Sequence, residues 1–100
     1  MMNVITDIES WYSNQCDGDW EHIFGIKIEN IDNPGWKISI PLERTSCEEK
    51  FFHELKVNRS ETNWLHCLKQ DNKFIGYGGI RNLNEIISIF LEWQKSDDCV

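Results

Sequence analysis

The feature that most restricts how this chain can fold is a change of hydrophobic period, from helical spacing at both ends to strict alternation in between. Ile5, Ile8, Trp11 and Tyr12 fall on one side of a helix over about residues 6–15, and Leu83, Ile86, Ile87, Phe90 and Trp93 form a wide apolar stripe on a second. Between them Phe24, Ile26 and Ile28 alternate with Lys27 and Glu29, and Trp36, Ile38, Ile40 and Leu42 with Lys37, Ser39 and Pro41. Phe51 to Asn58, Asn63 to Lys69 and Phe74 to Tyr77 continue the alternation. Successive side chains of a strand point to opposite faces, so each segment has one apolar face. Two such helices and one such sheet bury those faces against each other. The pattern therefore predicts an α+β fold: a two-layer sandwich, its antiparallel sheet of about five strands packed under an N-terminal and a C-terminal helix.

Local signals place the boundaries. Thr6-Asp7-Ile8-Glu9 has the form of a capping box, and Cys16-Asp17-Gly18-Asp19 ends the first helix. Strand alternation is expected to begin at Ile23. Asn33-Pro34-Gly35 turns the first strand into the second, giving a hairpin, and Asp71-Asn72 turns the fourth into the fifth. Phe51-Phe52 leaves the buried face of the third strand ambiguous. The fifth strand is short and ends at Gly78-Gly79, where missing side chains permit a positive φ or a close backbone approach, as at an edge or a bulge. Asn82, with Glu85 three residues later, opens the last helix, which ends near Lys95 and leaves a frayed tail. The strand order stays open. At 100 residues there is room for one core, so residues 1–100 form a single domain.

Five Trp, five Phe and two Tyr supply that core amply, which argues against needing disulfides. The first residues lack the basic and apolar regions of a signal peptide, and no apolar run is long enough to span a bilayer. The expectation is a cytoplasmic protein whose Cys16, Cys47, Cys67 and Cys99 are free thiols. Net charge is −7, unevenly placed: residues 1–35 carry Asp7, Glu9, Asp17, Asp19, Glu21, Glu29 and Asp32 against Lys27, or 1 − 7 = −6. Such a field repels nucleic acid and anionic membrane and attracts a basic partner; it also serves simple solubility. The cations are scattered singly along the sequence, and no basic and aromatic nucleic-acid platform can be read.

Chemistry-bearing residues are densest in Cys16-Asp17-Gly18-Asp19-Trp20-Glu21-His22. One reading makes the chain a small metal-dependent hydrolase, with His22 as general base and Asp17 or Asp19 orienting it or holding a metal. The spacing does not specify this. No Cys or His pair has zinc-ligand spacing, and the later ligands of a calcium loop are missing. The structural reading has Asp17 and Gly18 turning the chain and Trp20 covering the end of the core. His53 and His66 sit among apolar neighbours and read as core or rim residues. Gly76-Tyr77-Gly78-Gly79 lacks the Lys of a phosphate loop. Neither a cofactor nor a metal site is expected.

The run Trp11-Tyr12, Gln15 to His22, Gly25-Ile26-Lys27-Ile28 and Asp32 to Trp36 resembles the immunity protein 53 family of bacterial polymorphic toxin systems. The likeness continues through Arg59-Ser60-Glu61, Asn63-Trp64, His66-Cys67, Gly78-Gly79 and Phe90 to Trp93, nearly the whole chain. The resemblance implies a small cytosolic antitoxin, not an enzyme, that binds a cognate toxin domain and blocks it. An acidic face would suit a basic nuclease. The loop residues Asp17, Asp19, Trp20, Glu21 and His22, with Glu9 and Glu29, are the expected partner-binding residues. Oligomeric state stays open, a monomer being the default.

Overall fold

In a computed structural model, which describes residues 3–96, the elements run α1 (Val4–Gln15), α2 (Trp20–Ile23), β1 (Lys27–Ile31), β2 (Gly35–Pro41), β3 (Leu55–Asn58), β4 (Trp64–Gln70), β5 (Lys73–Gly78) and α3 (Leu83–Lys95). The five strands form one sheet in the order β1-β2-β5-β4-β3, every neighbouring pair antiparallel. The α+β sandwich inferred from the hydrophobic period is the fold observed.

The register explains the two layers. Ile38 lies opposite Gly76, which lies opposite Cys67, and Ile40 lies opposite Phe74. With Leu65 these residues make the inner face, and Ile38, Ile40, Cys67 and Phe74 are fully buried there. From α3, Ile86, Ile87, Phe90 and Leu91 close over them, and Val4, Ile8 and Trp11 of α1 complete the core. Trp11 meets Phe90 edge-to-face at 4.9 Å, and Phe90 meets Phe74 at 5.2 Å, geometries that aromatic quadrupoles favour.

The sequence signals place β5 at an edge or a bulge, yet it is the central strand. Its glycines are there for close approach rather than for positive φ. A Cβ on Gly76 would lie 2.3 Å from Ile86 Cγ2, and one on Gly78 would lie 2.7 Å from Ile86 Cδ1. Ile86 thus occupies the space two side chains would need, and α3 settles directly on the middle of the sheet.

Other boundaries also shift. The cap of α1 is Asn3, whose Oδ1 accepts from Thr6 N at 3.1 Å, so the helix starts before the anticipated capping box and Ile5 faces outward, 57% exposed. Strand alternation begins at Lys27 rather than Ile23, because Trp20–Ile23 close a helical turn in which Phe24 N donates to Trp20 O at 2.8 Å. β3 holds only the second half of its expected span. Phe52 packs against Phe74 and Trp93, whereas Phe51 is 73% exposed and its carbonyl accepts from Trp93 Nε1 at 2.8 Å. Cys16, Cys47 and Cys67 are free; Cys99 and the tail beyond residue 96 lie outside the described residues.

Two lysines fasten the irregular connection between β2 and β3. Lys69 sends its ammonium into the carbonyls of Cys47, Glu48 and Lys50 at 3.3, 2.7 and 2.7 Å. Lys50 in turn donates to the carbonyls of Gln94 and Ser96, where the C-terminal end of α3 concentrates partial negative charge.

Candidate functional site

The acidic loop between α1 and β1 is built largely from its own carboxylates. Asp17 Oδ1 accepts from the backbone N–H of Asp19 and Trp20 at 3.0 and 2.9 Å. Glu21 reaches back to accept from the N–H of Asp17 and Gly18, both of its oxygens contacting Gly18. Gly18 has φ +91°, a conformation an L side chain resists. Hydrogen bonds from Trp20 and Asp19, assisted by Arg44, hold the Asp17 carboxyl below the usual aspartate range.

These contacts sort the expected partner-binding residues. Asp17, Asp19 and His22 are exposed and Glu21 is half-buried, so the charge of the loop faces solvent. Asp19 forms an ion pair with Arg44 at 3.0 Å between two exposed side chains, and Arg44 also lies over the Phe24 ring. Trp20, read both as a binding residue and as a cover for the end of the core, is a core residue at 2% exposure. Its ring packs against Trp11, Tyr12 and Phe24 and its Nε1 donates to Glu43 O at 2.8 Å, so it anchors the loop from beneath. Glu9 is exposed on α1, at the rim of a groove lined by Ile8, Tyr12, Gly25, Ile26 and Ile28. Glu29 is exposed on β1 opposite Lys37, on the outer face of the sheet. Glu9 and Glu29 therefore flank the β1 edge from its two sides and do not form one surface with each other.

The hydrolase reading finds no support in this geometry. Asp17 is committed to backbone donors. Among the described residues no three His, Cys, Asp or Glu side chains converge as a metal site requires. His66, read as a rim residue, bonds Glu54 through Nε2 at 2.6 Å and lies on the outer sheet face beside Tyr77.

Two arrangements were not legible in the sequence. The first is a polar clamp: Arg59 grips Glu85 with two bonds of 3.0 and 2.8 Å and donates to Asn63 Oδ1, while buried Asn82 accepts from Trp64 N and donates to Asn63 and Glu85. Arg59 holds the Glu85 carboxyl below its usual range. The clamp ties the β3–β4 turn to the start of α3 and, with Thr62, Ile80 and Arg81, lines a cleft of about 500 Å³. The second is the outer sheet face. Cations that look scattered in sequence are gathered by the register: Lys27, Lys37, Lys56 and Lys73 share this face with Trp64, His66, Ile75 and Tyr77, and Lys37 lies 5.7 Å from the Tyr77 ring centre. Only the pairing of distant strands creates that grouping. The molecule thus carries an acidic loop and an uncovered, lysine-bordered aromatic face.

A family model described as Immunity protein 53 matches residues 5–95, and the chain belongs to that family. Neither a curated protein nor a solved structure matches it. No helix among the described residues is long and apolar enough to cross a membrane.

Proposed function

We propose that this member of the immunity protein 53 family is an antitoxin that binds a cognate toxin domain in the cytoplasm and blocks it by stoichiometric contact, without catalysis of its own. The observation that carries this reading is the family match over residues 5–95. The acidic loop supplies a capture surface: a preformed turn, held by its own hydrogen bonds, loses little ordering entropy on binding. Its negative charge would speed encounter with a basic toxin such as a nuclease. A standard interface takes roughly 800 Å² from each partner, about an eighth of the 6606 Å² exposed here.

Because Asp17 and Glu21 hold the loop together, reversing their charge would test folding and binding at once. Asp19→Lys and Glu9→Lys avoid this. The neighbouring reading frame, tested first for toxicity on its own, is co-expressed with this chain, and growth rescue and co-purification are scored; association rates are then measured at low and high salt. Rescue with a stable complex is expected, and absence of both refutes the antitoxin reading. The two reversals together should slow capture about tenfold, most strongly at low salt. If capture is instead slowed only by Lys37→Glu and Lys73→Glu, the docking surface is the outer sheet face and the loop assignment is wrong.

A further inference from the structure

The sheet ends on one side at β1, whose five residues pair with β2 in unbroken register and whose other edge has no neighbouring strand among the described residues. Lys27 to Asn30 are exposed and Ile31 is half-buried. Proteins usually blunt such an edge with charged side chains, a proline, a bulge or a covering element, because its unpaired N–H and C=O groups form a template for another strand. β1 has neither proline nor bulge, and its charged side chains, Lys27 and Glu29, are of opposite sign and so complementary to those of a second copy running antiparallel. Apolar surface also collects beside it: Ile28 is 47% exposed at the mouth of the groove formed with Ile8, Tyr12 and Ile26. Ile5, 57% exposed, lies on the same helical stripe as Glu9 and Tyr12.

We propose that this edge pairs with a second copy of itself, β1 antiparallel to β1, about a two-fold axis midway between the two Ile28 residues and perpendicular to the sheet. The charge pattern of Lys27-Ile28-Glu29 selects this register. Centred on Ile28, the pairing sets Ile28 against its counterpart on the inner face. On the outer face it sets Lys27 of each copy opposite Glu29 of the other, forming two complementary pairs. Centring on Glu29 would oppose two glutamates. A centre between the two residues would set the apolar face of one copy beside the charged face of the other. The axis makes one continuous ten-stranded sheet, twice the five strands of one copy, with the helices of both copies on the same side. It also turns the Ile5, Glu9 and Tyr12 stripes of the two α1 helices toward each other. The loops over residues 17–22 remain free, whereas Glu9 and Glu29 lie at the pairing, so this association competes with a toxin contact at those two residues and not at the loop.

The test is sedimentation equilibrium of the full chain, from micromolar to near-millimolar concentration, at an ionic strength that screens the net charge of −7 per copy. The wild-type chain should sediment with the mass of two copies. Lys27→Glu sets two carboxylates against each other at both outer-face pairs, and Glu29→Lys sets two ammonium groups against each other at both. Each variant alone should therefore dimerise roughly tenfold more weakly or remain a monomer. An equimolar mixture of the two sets a carboxylate against an ammonium group at both pairs of a mixed dimer, so mixing should restore the association that each variant loses alone. The double variant Lys27→Glu/Glu29→Lys restores both complementary pairs with their signs exchanged and should recover the dimer. Both positions are exposed, and unchanged far-ultraviolet circular dichroism verifies the fold. A monomeric wild-type chain, a dimer indifferent to both single substitutions, or a double variant that stays monomeric overturns the proposal.

Discussion

Ile86 seated over two glycines of the central strand makes a sharp prediction about how the layers are held apart. In Gly76→Ala the new Cβ would meet Ile86 Cγ2 at 2.3 Å and Ile38 Cγ2 at 3.2 Å, both on fully buried side chains. Cγ2 is attached directly to the branched Cβ of Ile86, so a rotamer change moves it only into the same packed layer. Overpacking of this kind costs about 1–3 kcal/mol. Loss of glycine's freedom in the unfolded chain offsets about 0.4–1 kcal/mol of that. The net expectation is a destabilisation of about 1–2 kcal/mol, equivalent to a fall in Tm of about 5–15 °C for a domain of this size.

The assay is urea unfolding followed by tryptophan fluorescence, run as a double-mutant cycle. Ile86→Ala alone should cost about 2–5 kcal/mol through the cavity it leaves. In that background Gly76→Ala should cost almost nothing, giving a coupling energy of about 1–2 kcal/mol. Ile86→Val discriminates further. It removes Cδ1, the atom 2.7 Å from a Cβ on Gly78, but keeps the methyl that obstructs Gly76. It should therefore ease Gly78→Ala and leave Gly76→Ala as costly as before. Equal cost of Gly76→Ala in the wild-type and Ile86→Ala backgrounds would refute the argument that these glycines exist to admit Ile86.

Lys69→Met removes three ammonium-to-carbonyl bonds from the connection between β2 and β3 and leaves those carbonyls short of a donor, so chemical denaturation should register a loss of about 2–3 kcal/mol. Asp17 and Glu85 both have folded pKa values below their ordinary 3.8 and 4.5, so their contributions are complete above those values and are lost as pH falls through the depressed ones. Stability measured from pH 6 downward should decline from about pH 4.5, and Asp17→Asn with Glu85→Gln should flatten that decline. Burial pushes the Cys67 thiol up to about 12 and raises that of Cys47 as well, whereas Cys16 is exposed. Peptide mapping after brief iodoacetamide treatment at about pH 8 should find Cys16 labelled and Cys47 and Cys67 protected until denaturant is added.

Periodicity carried the layer architecture, because burial on one face leaves a direct trace at every second or every third to fourth residue. It could not carry strand order. The hairpin at Asn33-Pro34-Gly35 identifies β1 and β2 as neighbours, but nothing local says that β5 inserts between β2 and β4. That placement depends on α3 needing a strand with no side chains beneath Ile86, a requirement visible only once helix and strand are paired. The same limit hid the grouping of Lys27, Lys37, Lys56 and Lys73, which are brought together across four strands. It also left Trp20 with two readings, core cover and binding surface, of which the structure bears out the first. The Asp17 and Glu21 side chains that look like surface charge nucleate a helical turn, and that turn carries Trp20 inward.

This dual duty of the loop acids bears on how its charge can act. A carboxylate that accepts backbone N–H bonds keeps its full charge, and the hydrogen bonds that lower the Asp17 pKa favour that charged form. Hydrogen bonding therefore does not remove Asp17 or Glu21 from the long-range field that steers a basic partner; it removes them from the set that can rotate to meet that partner. Arg44 subtracts one charge locally by pairing with Asp19, and exposed pairs of this kind are held weakly enough to exchange. A basic side chain arriving from a toxin could displace Arg44 from Asp19 without disturbing the turn. On this reasoning Arg44→Ala should increase the association rate, and an unchanged or reduced rate would mean that Asp19 lies outside the contact.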